Sequence, residues 1–178
     1  MRSKRFIQIR TIHPDGDAYE GIVLHFGRSL VVMHEVRDLF FDGILVFPKR
    51  AIKRARNGKF EKCANDIIRH SGQISALSGA KWIKSLGSIQ DAVNALRSRG
   101  VWPAIETVRD GESALYLGPI TSVGSHDFDM LCYGSDGEWE GEYRLPFGEV
   151  FKMEFNSMYT NAFNSYMKEM RPPQYEIR

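Results

Sequence analysis

Two stretches of this chain carry the same landmarks in the same order. Gly21 lies inside an extended apolar segment, Gly43 sits at the centre of a second, and Ile52 and Phe60 follow; the later half offers Gly118, Gly141, Val150 and Tyr159. The separations are 22, 9 and 8 residues in the first set and 23, 9 and 9 in the second. A repeated unit constrains architecture strongly, because each copy must solve the same pairing and burial problem. It constrains chemistry much less.

Residues 6–12 (FIQIRTI) alternate apolar and polar side chains with period two and run into His13-Pro14-Asp15-Gly16-Asp17, a strand and its turn. Residues 19–26 and 29–35 are separated only by Gly27-Arg28, which suits a two-residue type II′ hairpin. That register sets Phe26 opposite Ser29, Leu24 opposite Val31 and Ile22 opposite Met33, with His25 opposite Leu30 and His34 opposite Gly21. Residues 40–47 are apolar at odd and even positions, with Ile44 and Val46 on one face and Phe41, Leu45 and Phe47 on the other, so both faces need cover. A short strand around Ile52 and Ala55 makes five. Phe60, Cys63, Ala64, Ile67 and Ile68 then recur at helical spacing up to Gly72. A second helix runs from the cap Ser88, through Ile89, Val93 and Leu96, to Gly100. The second copy reads as strands at 102–108, 114–123, 128–133, 139–145 and 150–155, followed by a helix at 158–170 that Pro172-Pro173 ends. The domain division is therefore 1–72, a helical connector at 73–100, and 101–178.

An apolar strand through Gly21, a hairpin, and Asp42-Gly43-Ile44-Leu45-Val46 leading to Ile52 resemble the Sm-like fold, a strongly bent five-stranded small barrel of SH3 type. Gly137-Glu138-Trp139 with Val150 to Phe155 resembles the same segment in the second copy. The whole chain is similar to a group of bacterial proteins with two such barrels and a helix after each. The resemblance implies a mainly β fold with accessory helices, two tandem Sm-like barrels. In RNA-binding Sm and Hfq-type proteins one base-contacting loop ends in Asp with a nearby Asn, and another carries Arg-Gly or Lys-His. The corresponding loops here are Gly27-Arg28 and Pro48-Lys49-Arg50 in the first copy, and Gly124-Ser125-His126-Asp127 and Phe147-Gly148-Glu149 in the second. The resemblance therefore carries over the fold and not the RNA site.

Apolar residues make up 43% and aromatics 12% of 178 residues, enough to bury a core. No stretch reaches the roughly 18 apolar residues of a membrane span, and the basic N-terminus lacks a signal-type apolar run, so a soluble, cytoplasmic protein is expected. Cys63 and Cys132 stand alone in different copies, which suits small buried apolar side chains and neither a disulfide nor a zinc site. Net charge is only +2, but residues 1–74 carry +6, residues 75–100 carry +3 and residues 101–178 carry −7. Such asymmetry steers a charged partner, or one copy's acidic end toward another's basic end.

Lys49, Arg50, Lys53, Arg54, Arg56 and Lys59 place six cations in eleven residues. They can track a phosphate backbone by releasing counterions, or guard an exposed strand edge against unwanted pairing. Phe47 and Phe60 flank the run without interleaving it, so base stacking is not written into it. Glu138, Glu140 and Glu142 alternate beside Trp139 and Tyr143, which turns the carboxylates to one solvated face, an interaction surface that suits a basic edge. No His pair, Gly-rich phosphate loop or nucleophile elbow appears, and the expectation is no metal, no cofactor and no catalysis. Two functions follow: a scaffold that binds itself or another protein, or an RNA- or DNA-binding protein that uses the basic edge.

Overall fold

The computed structural model describes residues 5–13, 18–72 and 81–173. The chain divides into two compact units, Met1–Ser88 and Ile89–Arg178. In the first lie β1 (Phe6–Thr11), β2 (Ala18–Phe26), β3 (Leu30–Arg37), β4 (Phe40–Pro48), β5 (Ile52–Arg56) and α1 (Lys59–His70). The second holds α2 (Ile89–Arg97), β6 (Ala104–Arg109), β7 (Glu112–Leu117), β8 (Ile120–Val123), β9 (Asp127–Tyr133), β10 (Trp139–Pro146), β11 (Val150–Phe155) and α3 (Met158–Met170). The protein is mainly β with accessory helices.

Strands of the first unit pair antiparallel in the order β5-β1-β2-β3-β4. Ile9, Tyr19, Val31, Met33, Leu45 and Phe47 form one buried cluster. Alternation turns Phe6, Gln8 and Arg10 to the opposite face of β1. On that face Phe6, Ile22 and Val36 pack against Ala64 and Ile68 of α1. The row is curled. Only four residue steps lead from Pro48 to Ile52, a reach of at most about 14 Å, whereas the ends of a flat five-stranded row lie about 19 Å apart. No hydrogen-bonded register joins β4 to β5, or β10 to β11, among the described residues, so each ladder stays open.

The second unit pairs in the rows β11-β6-β7 and β10-β9-β8. It repeats the first down to its irregularities. A Cβ on Gly21 would stand 2.1 Å from the His34 carbonyl oxygen, and one on Gly118 would stand 2.1 Å from that of Leu131. Registers slip between Val23 and His25 and between Ile120 and Ser122, three residues beyond each glycine. Further slips fall at His34/Val36 and Trp139/Gly141, and at Arg10/Thr11 and Val150/Lys152. Gly43 and Gly141 both hold positive φ, 76° and 106°. The helix caps match as well: Glu61 Oε2 accepts the Gly58 N–H at 2.6 Å, and Thr160 Oγ1 accepts the Ser157 N–H at 3.0 Å.

Several expectations need correction. Phe26 pairs with Val31, Val23 with Met33, His25 with Val32 and His34 with Ile22, because Leu24 is the extra residue of a bulge and Gly27 N–H closes on Leu30 O at 3.0 Å. The bulge at Asp42-Gly43 likewise parts Phe41 from Leu45 and Phe47, and Phe41 packs on the α1 side beside Phe6 and Val36. The strand expected over 114–123 breaks at Gly118-Pro119, where proline has no N–H to donate. The apolar stripe of α1 is only half covered, for Ala64 and Ile68 are buried while Phe60 and Ile67 stay 58% and 46% exposed. Cys63 is exposed, not buried; Cys132 is buried. Residues 73–80 of the expected connector lie outside the described residues. Beyond them, Leu86 and Gly87 hold the β2–β3 turn through His25 Nε2 and the Ser29 N–H, and α2 packs on β8.

Candidate functional site

The six cations read from sequence are all exposed but do not form one row. Lys49 and Arg50 sit in a 3-10 turn between β4 and β5, and Lys49 Nζ donates to the Arg28 carbonyl at 3.1 Å. Lys53 is the extra residue of the β5 bulge. Arg54 and Arg56 point with Gln8 and Arg10 of β1 into a groove of about 200 Å³ that these four residues line. Cross-strand register explains the meeting, since Arg54 lies opposite Arg10 and Arg56 opposite Gln8. Lys59 opens α1.

Arg56 is held in place. Its Nε and Nη2 lie 2.7 and 2.6 Å from Glu61 Oε1, while the other Glu61 oxygen caps α1. Glu61 is fully buried. Burial pushes its carboxyl up, but the N–H groups of Glu61 and Gly58 and the Arg56 guanidinium outweigh that and leave it below its ordinary range. Asn57 Nδ2 donates to the Phe6 carbonyl at 2.6 Å, which ties the β5–α1 turn to β1. On the far side of the groove Gln8 Nε2 donates to Glu20 Oε1 at 2.8 Å.

The second unit carries the opposite chemistry at the same place. Lys152 lies opposite Glu106 and pairs with it at 3.1 Å, both side chains being mostly buried. Glu154 stands opposite Ala104 where the first unit has Arg56 opposite Gln8.

Glu138, Glu140 and Glu142 are exposed. The slip between Trp139 and Gly141 makes Glu140 the extra residue, so strict alternation is lost. Glu138 is engaged by Arg171, and Glu142 accepts from Thr121 Oγ1 at 2.6 Å. Beside them Asp129 is held low by hydrogen bonds from Arg144 and Ser122. Burial first, then Glu140, pushes the Cys132 thiol up to about 12, which keeps it a neutral packing group. Among the described residues no group of three or more His, Cys, Asp or Glu side chains converges as a metal site.

Sequence reading missed Arg10 and Gln8. They stand more than forty residues from Arg54, and only the β1–β5 register brings them together; the one available signal was the polar face of FIQIRTI. Comparison with known protein families, curated proteins and solved structures returns no match.

Proposed function

We propose that this chain is a binding protein rather than an enzyme, built from two Sm-like units, and that the first unit engages the backbone of RNA or DNA. Two features support the Sm-like reading: the order β5-β1-β2-β3-β4, and its counterpart in the second unit once β7 and β8 count as one strand bent at Gly118. The observation that carries the binding reading is the convergence of Arg10, Arg54 and Arg56 on one groove. Edge protection accounts for cations on β5, whose described pairing is with β1 alone, but not for Arg10, since β1 is bonded on both sides. Backbone recognition of this kind depends on charge and tolerates sequence.

The test is an anisotropy titration with mixed-sequence RNA and DNA. Four phosphate contacts predict binding about 50-fold weaker at 200 mM than at 50 mM salt for a single strand. Replacing Arg50, Lys53 and Arg54 by Glu is expected to abolish it. Absence of binding even near 50 mM salt overturns the proposal. A protein partner, or a second copy of the chain, is the second reading; the half-exposed Phe60 and Ile67 on α1 and the acidic Glu138–Glu142 side favour it.

A further inference from the structure

We infer that the groove between β1 and β5 is a seat for one phosphate group, with Arg10 and Arg54 as its paired ligands and Arg56 as a third, pre-aimed donor. The inference deepens the nucleic-acid reading and rests on it only for the source of the phosphate.

Directly opposed like charges on neighbouring strands repel and destabilise the pair. Arg10 and Arg54 are such a pair. No ion pair engages either of them among the described residues. The duplicated scaffold supplies an internal control. At the equivalent position the second unit places Glu106 opposite Lys152 and satisfies both at 3.1 Å. One fold therefore accommodates a neutral pair at this position in one copy and two guanidinium groups in the other. The doubled positive charge is relieved when the anionic oxygens of a phosphate group lie between the two planes, each of which presents a fork of N–H donors matched to phosphate oxygens.

The surroundings fit the same ligand. The groove is concave, about 200 Å³, and all four lining residues are polar or cationic. Arg56 spends Nε and one Nη2 hydrogen on Glu61 Oε1, which orients the guanidinium and leaves other N–H donors of its five for the groove. Glu20, the carboxylate of β2 and the cross-strand partner of Gln8, accepts the Gln8 amide through Oε1.

The experiment compares thermal unfolding of the full chain, the Arg10→Glu variant and the Arg54→Gln variant in sodium phosphate and in sodium chloride of equal ionic strength. Phosphate is expected to raise the wild-type melting temperature by about 2 °C or more beyond chloride. Arg10→Glu rebuilds the pair of the second unit. In chloride it is expected to melt about 2–4 °C above wild type, and phosphate should add nothing to it. Arg54→Gln is expected to lose the phosphate response as well. A wild-type protein indifferent to phosphate, or an Arg10→Glu variant as responsive as wild type, overturns the seat.

A short oligoribonucleotide without terminal phosphates separates the sources. Displacement of phosphate by that oligonucleotide supports a phosphodiester in the seat. Phosphate binding with no oligonucleotide binding keeps the seat and removes the polymer reading. Oligonucleotide binding that survives Arg10→Glu, with no phosphate response, removes the seat and leaves the polymer on the Lys49–Lys59 side.

Discussion

Glu61 shows how one buried carboxylate serves local structure and site together. Helix starts favour an acceptor at the third position because the first N–H groups have no partner within the helix. Gly58 has no side chain to cap with, so Glu61 supplies the cap alone and has one oxygen left for Arg56. Replacing Glu61 by Gln is expected to cost about 2 kcal/mol at neutral pH, a figure kept modest because Arg56 is half exposed. The folded carboxyl titrates below its ordinary 4.5. Its contribution is then complete above the unfolded value and fades as pH falls through the lower folded one. Urea melts between pH 7 and 3 should show the gap between wild type and variant closing below about pH 4.5. A gap that stays constant to pH 3 would place its origin in packing rather than charge.

At the scale of elements, the duplication is written most clearly where the strands depart from regularity. Bulges re-aim side chains, and here they occur at matching places in both units, beside glycines that let a neighbouring backbone approach. Changing Gly21 to Ala should cost about 3 kcal/mol, since the obstacle is the His34 carbonyl oxygen and backbone cannot step aside. Gly118→Ala should cost more, because φ of +145° adds strain to the same collision with Leu131. Gly148 is the control: nothing lies within 4 Å of an added Cβ, and Ala there should be neutral or gain about 0.4–1 kcal/mol. Denaturant midpoints of the three variants decide the matter, and equal costs at all three sites would show that the close backbone approach at Gly21 and Gly118 does not set the cost.

For the whole molecule the uneven charge leads to a prediction about how copies interact in solution. Residues 1–100 carry +9 and the remainder −7, so a near-neutral chain divides its charge unevenly along its length. Attraction between copies is expected at 0.1 M salt and should fade toward 1 M, as the Debye length shrinks from about 10 Å to about 3 Å. Light scattering across that range checks it; an unchanged mass and interaction coefficient would show that any self-association is apolar. The spacing of Gly21, Gly43 and Ile52 against Gly118, Gly141 and Val150 already showed that the chain repeats, period-two patterning showed that it is mainly β, and the order of charged residues showed that its cations gather in the first copy. These are properties of order along the chain, and they survive errors of register. Tertiary structure decided which cations meet. Arg10 and Arg54 are neighbours only through the β1–β5 ladder, and Phe41 faces α1 only because Asp42-Gly43 bulges. Side chains on a strand change face with every residue, so a single inserted bulge, invisible to periodicity, reassigns everything beyond it.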